Sequence, residues 1–315
     1  QAFGEQGILT HHSEDGWYYP LSDSAHAVVA LLEEALQRAG VTLRLATGVS
    51  AIEYSHPGFL LNTHSKGRDS FEHFDRLVVA AGGRAYPTLG SRGELFSSLS
   101  RLGHTCLPLC PALGPILLNL GSFRVLQGLR FDVRARILQA QALLGETFGN
   151  VIFTAEGFNG PGVMNLSHLV ALHPHQTLTL QLDFLAHFTE SFTTRLKSRR
   201  MAPFSLLAHL EGFFPPKAAL FFANRASLDP QKHLGELTSA ERQQLLSGLQ
   251  DVRFIISGAG NFTNSQITVG GVPVGEVQPH TLQSRLVPGL YLVGETLDVA
   301  GPCGGYNLHL AFGSG

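Results

Sequence analysis

PGLYLVGETLDVAGPCGGYNLHLAFGSG, residues 288–315, is the stretch whose reading decides the fold. Leu290 to Val293 is a short apolar run of the kind that forms a buried parallel strand, and it stops at Gly294-Glu295. A loop carrying Asp298 follows, and Gly304-Gly305 then open onto a helical pattern from Tyr306 to Phe312. A glycine pair before a helix lets backbone approach a ligand closely. The helix start adds free N–H groups and the positive end of the macrodipole, which suit a negative or electron-rich ligand atom. The same residues also suit a glycine-rich loop that joins strand to helix and holds nothing. Cys303 stands beside the pair, where a thiolate is favoured, but no second cysteine lies near it and a redox disulfide is not expected.

Two further stretches repeat the pattern of strand followed by glycines. Arg76 to Ala81 (RLVVAA) runs into Gly82-Gly83, with Pro87, Gly90 and Gly93 before a helix predicted over about 94–102. Backbone at the carboxyl end of such a strand lies where ligands of open α/β sheets bind. Ile267 to Val272 (ITVGGV) places Gly270-Gly271 at a strand end, where they serve either a planar ligand or a bulge. Ahead of these, Glu14 to Pro20 (EDGWYYP) reads as a short strand lying under something large and flat. Asp23 or Ser24 caps a helix with apolar residues at Val28, Val29, Leu32, Ala35, Leu36 and Ala39, ended by Gly40. Short strands are expected at 42–47, 48–54, 59–63 and 70–74, with turns at Pro57-Gly58 and Lys66-Gly67.

From Leu107 the composition changes. Pro108, Pro111 and Pro115 interrupt an apolar segment, and strand patterns follow at 112–120, 131–138, 140–144 and 147–153, with Leu143 to Glu146 read as a hairpin turn. A short helix leads to Val170, a strand spans 177–183, a helical block runs from Thr189 to about Leu249, and strands return at 252–257 and 266–269. The chain is therefore expected to be α/β with an α+β insertion. Residues 1–107 and 271–315 form the sheet domain; residues 108–270 form an insert, barrel-like over about 108–185 and 250–270 and helical over about 186–249.

The 315 residues carry 22 Lys and Arg against 24 Asp and Glu, a formal charge of −2. That balance gives no electrostatic footprint for nucleic acid or an anionic membrane. The one basic cluster, Arg195, Lys197, Arg199 and Arg200, reads as a solvated helix end. No apolar run reaches the roughly 18 residues of a membrane span, and no secretory signal opens the chain. Three cysteines suggest a reducing compartment, so a cytoplasmic protein is expected. The 15 histidines include no His-Glu-x-x-His, and Cys106 and Cys110 lack partner ligands, so no metal site is expected. His11-His12 and His173/His175 read as surface or loop residues. No Gly-x-Ser-x-Gly elbow or Walker loop occurs.

Taken together, Gly16 to Pro20, Ala80 to Gly83 with Tyr86-Pro87, Gly157 to Gly162, Thr268 to Val272, Val293 to Asp298 and Gly304 to Asn307 make the chain resemble the BaiN-type family of bacterial NAD(P)/FAD-dependent oxidoreductases, some of them described as aminoacetone oxidases. The resemblance spans essentially the whole chain. It implies a discontinuous, FAD-binding Rossmann-like sheet domain interrupted by the insert. It also implies FAD contacts from Ala81, Gly82 and Gly83 near the dinucleotide, and from Gly270, Gly271, Val272, Gly304, Gly305, Tyr306 and Asn307 near the flavin ring. Gly294, Glu295 and Asp298 belong to the same set, with Glu295 at the acidic position that hydrogen-bonds the ribityl chain. The implied activity is hydride transfer between flavin N5 and a small-molecule substrate or NAD(P)H, the flavin doing the chemistry. No catalytic acid or base is named by it; His309 is expected to pack on the helix side. The family's opening βαβ unit with Gly-x-Gly-x-x-Gly is not in the sequence, so a fragment that binds FAD poorly is expected. The rival reading is a non-catalytic remnant or an interaction module.

Overall fold

The computed structural model describes residues 2–13 and 16–315. They fall into two units: Gln1–Gly83, Ser91–Pro108 and Gly270–Gly315 form one, Arg84–Gly90 and Leu109–Val269 the other. The first begins with α1 (Ala2–Glu5) and a hairpin of β1 (Thr10–His12) and β2 (Tyr18–Pro20). Glu14 and Asp15, the start of the strand expected over EDGWYYP, lie outside the described residues. Helix α2 (Ala25–Arg38) starts at Ser24, whose hydroxyl accepts from the Ala27 amide. Its expected apolar stripe forms, yet none of its residues is buried. β3 (Thr47–Tyr54), β4 (Phe59–Ser65) and β5 (Arg68–Phe74) make an antiparallel sheet whose buried side holds Ile52, Phe59, Leu61 and Thr63. The strand expected over 42–47 is a correction: residues 41–44 have no regular structure and Leu45-Ala46 form a turn. Leu43 and Leu45 stay exposed, and without a ladder partner their alternation makes no strand. β6 (Leu77–Val79), α3 (Phe96–Arg101) and β7 (Leu107–Ala112) follow.

The second unit is a closed barrel with helices. β8 (Ile116–Leu118), β9 (Arg130–Gln139), β10 (Ala142–Phe153), β11 (Gly157–Asn159), β12 (Leu178–Asp183) and β13 (Val252–Ala259) close in the order β10-β11-β8-β13-β12-β9. Alternation sets which side chains turn inward. Phe131, Val133, Ala135 and Ile137 of β9 are buried while Arg130 and Asp132 face out, and β12 buries Leu178, Leu180 and Leu182. The core is rich in phenylalanine: Phe153 packs edge-on against Phe131 and Phe158, and Phe184 against Phe222, with centroids 4.7–5.6 Å apart. Each fully buried ring contributes about 1.5–3 kcal/mol of apolar transfer. The turn expected at Leu143 to Glu146 is a second correction. The β9–β10 turn falls at Ala140, which has φ 53°, and a bulge lies at Leu143/Gly145 within β10. Gly145 is needed for packing, since a Cβ there would lie 2.6 Å from Leu169 Cδ1.

Around the barrel core lie α4 (Pro161–Met164), α5 (Ser167–Leu172), α6 (Thr189–Lys197), α7 (Leu206–Glu211), α8 (Pro216–Arg225) and α9 (Ser239–Gln250). The short segment Arg84–Gly90 belongs to this unit, an excursion that the sequence reading lacks. Its Arg84 and Ala85 amides donate to Thr268 Oγ1 at 2.7 and 3.0 Å, and the Tyr86 amide donates to the Phe262 carbonyl. The chain returns through β14 (Ile267–Gly271), which pairs with β7 in a two-stranded sheet, outside the barrel. Back in the first unit, β15 (Leu290–Leu292) pairs in parallel with β6, Leu290 opposite Leu77 and Leu292 opposite Val79, and the chain reaches α10 (Tyr306–Ser314).

Candidate functional site

Because β6 and β15 are parallel neighbours, the loops that leave their carboxyl ends emerge on the same edge of the first unit. One carries Ala81, Gly82 and Gly83; the other carries Gly294, Glu295 and, further on, Asp298. The edge is knitted by backbone. The Val293 amide donates to the Val79 carbonyl at 3.2 Å, and the Ser91 hydroxyl donates to the Gly83 carbonyl at 2.5 Å. Gly82 has φ 71°, and a Cβ there would meet nothing within 4 Å, so its backbone face is open. Gly305 is alike at the other loop: it is the N-cap of α10 with φ 82° and open space where a Cβ would stand.

Gly270 and Gly271 are brought to the same unit but are accounted for by protein packing. A Cβ on Gly270 would lie 2.2 Å from the Pro108 carbonyl oxygen, and one on Gly271 2.8 Å from that of Thr296. The Gly270 amide donates to Asp298 Oδ1 at 2.9 Å, the Val272 amide to the Thr296 carbonyl, and the Asp298 amide back to the Val272 carbonyl. Asp298 therefore ties the 270–272 stretch to the loop after β15. Asn307 has a similar task. Its Oδ1 accepts from the Gly301 amide at 2.8 Å and its Nδ2 donates to the Gly301 carbonyl at 3.0 Å, which folds residues 301–307 over the start of α10. Tyr306 is exposed, and His309 is exposed too rather than packed against the helix side, a correction to the sequence reading. A second correction concerns Cys303. Burial pushes its thiol up, so the favoured thiolate expected beside the glycine pair does not arise.

One constellation in this unit had no sequence signal. His104 donates or accepts at both ring nitrogens, Nδ1 to Glu276 Oε2 at 2.7 Å and Nε2 to Ser284 Oγ at 2.9 Å. The order carboxylate, imidazole, hydroxyl is that of a nucleophilic triad, but Ser284 is buried and its Oγ also accepts from the Leu286 and Val287 amides. With its lone pairs held by two amides and no exposed face, it staples the 284–287 segment and does not attack a substrate. Burial raises the Glu276 carboxyl, but hydrogen bonds from Thr105 and His104 outweigh that and leave it below the usual range. A cavity of about 510 Å³ lined by Ile52, Tyr54, Arg101 and Leu286, among others, contains none of the residues expected at the cofactor. Among the described residues no group of three or more His, Cys, Asp or Glu could hold a metal ion, and no helix is long and apolar enough to cross a membrane.

A parallel strand pair with open glycine backbone at its carboxyl end, in a chain that also carries a closed barrel, matches a Rossmann-like α/β sheet domain with an insert. The chain belongs to the HI0933-like family, the BaiN-type flavoprotein oxidoreductases, whose Rossmann domain it matches over residues 1–315. It is 33% identical over 99% of its length, and 76% of the relative's, to a 3-dehydro-bile acid delta(4,6)-reductase from Clostridium scindens. It is 28% identical over 98% of its length, and 75% of the relative's, to a ribosomal RNA dihydrouridine synthase from Escherichia coli. A distant likeness to CmlS, a flavin-dependent halogenase, has a TM-score of 0.31 and 14% identity, covering 98% of this chain and 45% of that one.

Proposed function

We infer that the chain is a flavin-dependent reductase whose substrate is a small molecule with a carbon–carbon double bond conjugated to a carbonyl. The observation that carries this reading is the 33% identity to a bile acid reductase along 99% of the chain. The reactions that the two relatives' names describe share one bond type: the double bonds of a 3-dehydro-delta(4,6) steroid and of uridine are both conjugated to a carbonyl. Charge favours the small molecule over ribosomal RNA. With 22 Lys and Arg against 24 Asp and Glu, the chain has no net positive charge to hold a polyanion.

The open backbone at Gly82 and Gly305 fits a flavin, because a dinucleotide needs bare amides at the carboxyl edge of the sheet. In this reading the cofactor is FAD. Ala81 to Gly83 pass near the dinucleotide and Glu295 lies at the ribityl chain. The first amides of α10, from Tyr306 and Asn307, present the positive end of the helix to the ring. Gly270, Gly271, Val272, Gly294 and Asp298 act by holding that loop in place. A bound flavin supplies two-electron hydride chemistry with NAD(P)H as the source. A reducing cytoplasm suits the three free cysteines. The test is the visible spectrum of the purified protein supplied with FAD, followed by NADH or NADPH without oxygen. Bound flavin that bleaches supports the reading; bound flavin that neither NADH nor NADPH bleaches refutes it.

A further inference from the structure

The β1–β2 hairpin sorts its aromatic residues onto two faces. His12 meets Tyr18 on one, while His11 and Trp17 both lie against Tyr19 on the other, Trp17 stacked at 6.4 Å and 26°. Ser13 fixes Trp17 by its backbone: the Ser13 amide donates to the Trp17 carbonyl at 2.8 Å, and the Trp17 amide donates to Ser13 Oγ. The ring of Trp17 reaches the glycine loop ahead of α10. A Cβ on Gly304 would lie 3.7 Å from Trp17 Cε2 and 3.2 Å from Tyr306 Cε2, so two rings from distant parts of the chain flank one bare glycine. All three rings stay accessible, Trp17 at 42%, Tyr19 at 40% and Tyr306 at 61%.

Rigid aromatic side chains left open to water around a bare backbone are what a flat ligand uses, because stacking buries both faces without a charged partner. We propose that Trp17, Tyr19 and Tyr306 form an aromatic clamp beside Gly304 that positions a planar, uncharged, carbonyl-conjugated ring of the substrate. The proposal rests on the reductase reading for the kind of ring, and on the hairpin geometry for its place. The three rings bring no cationic group, so the clamp selects for flatness and not for phosphate or carboxylate. These are positioning residues: they orient the ring at the start of α10 and take no part in bond making.

Trp17 is the single tryptophan of the sequence, so its emission reports the clamp without reference to turnover. The flavin-loaded protein is titrated with a 3-oxo steroid bearing a conjugated double bond. The expected result is saturable quenching, with affinity weakened about tenfold in Tyr19→Ala and Tyr306→Ala, a typical effect of removing one stacking partner. Tyr306→Phe should restore it, and in turnover the alanine variants should raise KM more than they lower kcat. Steroid turnover with unchanged Trp17 emission overturns the clamp and leaves the reductase reading standing. Quenching without turnover supports the clamp and counts against that reading alone. Quenching by added FAD that steroid does not alter shows that the rings serve the cofactor, and overturns the proposal.

Discussion

His209 of α7 gives the sharpest stability prediction. Its side chain is fully buried, packs tilted against Phe192 at 4.7 Å and edge-on to Phe213 at 5.4 Å, and neither ring nitrogen has a hydrogen-bond partner. Burial, and next the charge of Arg195, lower its pKa from 6.5 to about 4. A histidine whose folded pKa is depressed favours folding when neutral and opposes it when protonated. Stability is therefore full above the unfolded value near 6.5 and falls as the pH drops toward 4, where the folded form also takes the proton. With about 1.4 kcal/mol per unit, this residue removes about 2 kcal/mol by pH 5 and about 3 kcal/mol below pH 4. His209→Phe keeps a ring in the site and deletes two unsatisfied nitrogens, so the variant should be more stable than wild type by about 1–3 kcal/mol at neutral pH. The gap should widen by about 2 kcal/mol at pH 5. Denaturant unfolding of both proteins at pH 8, 7, 6 and 5, followed by circular dichroism, measures it. Parallel stability curves across that range would refute the reasoning, because the pH-dependent part cannot come from packing.

At the glycine loop, Gly305→Val should fold, because open space surrounds the site of the new Cβ, at a strain of about 1–2 kcal/mol from φ 82°. Carried in a longer chain that includes the family's opening βαβ unit, it should nonetheless lose flavin, read as absorbance per protein after gel filtration; stoichiometric retention would remove this loop from the ring. Cys303→Ser should leave flavin content and reducibility unchanged, since burial keeps that group a thiol, and loss of turnover with flavin retained would restore a redox role. Ser284→Ala strands His104 Nε2 and two amides, so thermal unfolding should show a loss of about 1–3 kcal/mol. A neutral outcome would mean that water replaces the hydroxyl.

The parts legible in the sequence were those whose signal is local. The run from Leu290 through Gly305 into α10 was readable because a short apolar strand, a glycine pair and a helical period stand next to one another. The barrel was readable because Phe131, Val133, Ala135 and Ile137 alternate with charged residues. What could not be read depends on distant partners. His104 lies 172 residues from Glu276 and 180 from Ser284, so no spacing announces the cluster. Gly270 and Gly271 read either as ligand glycines or as a bulge, and the carbonyls of Pro108 and Thr296 that leave no room for a Cβ there come from residues far off in the sequence. Gly145 looked like a turn because a bulge glycine and a turn glycine are the same letter; its neighbours Leu166 and Leu169 decide between them. The strand expected over 42–47 failed for the reverse reason: alternation was present and a partner strand was not.

Reduction of a conjugated double bond is the reaction that the flavin-loaded protein must perform. The flavin-loaded protein, reduced without oxygen by one equivalent of NAD(P)H, is mixed rapidly with a 3-oxo steroid whose double bond is conjugated to the carbonyl. A matched steroid with an isolated double bond serves as the control. The conjugated steroid should restore the oxidised flavin spectrum and be recovered two hydrogens heavier, while the control should leave the flavin reduced. Reoxidation by neither steroid, or equally by both, would contradict the reductase reading.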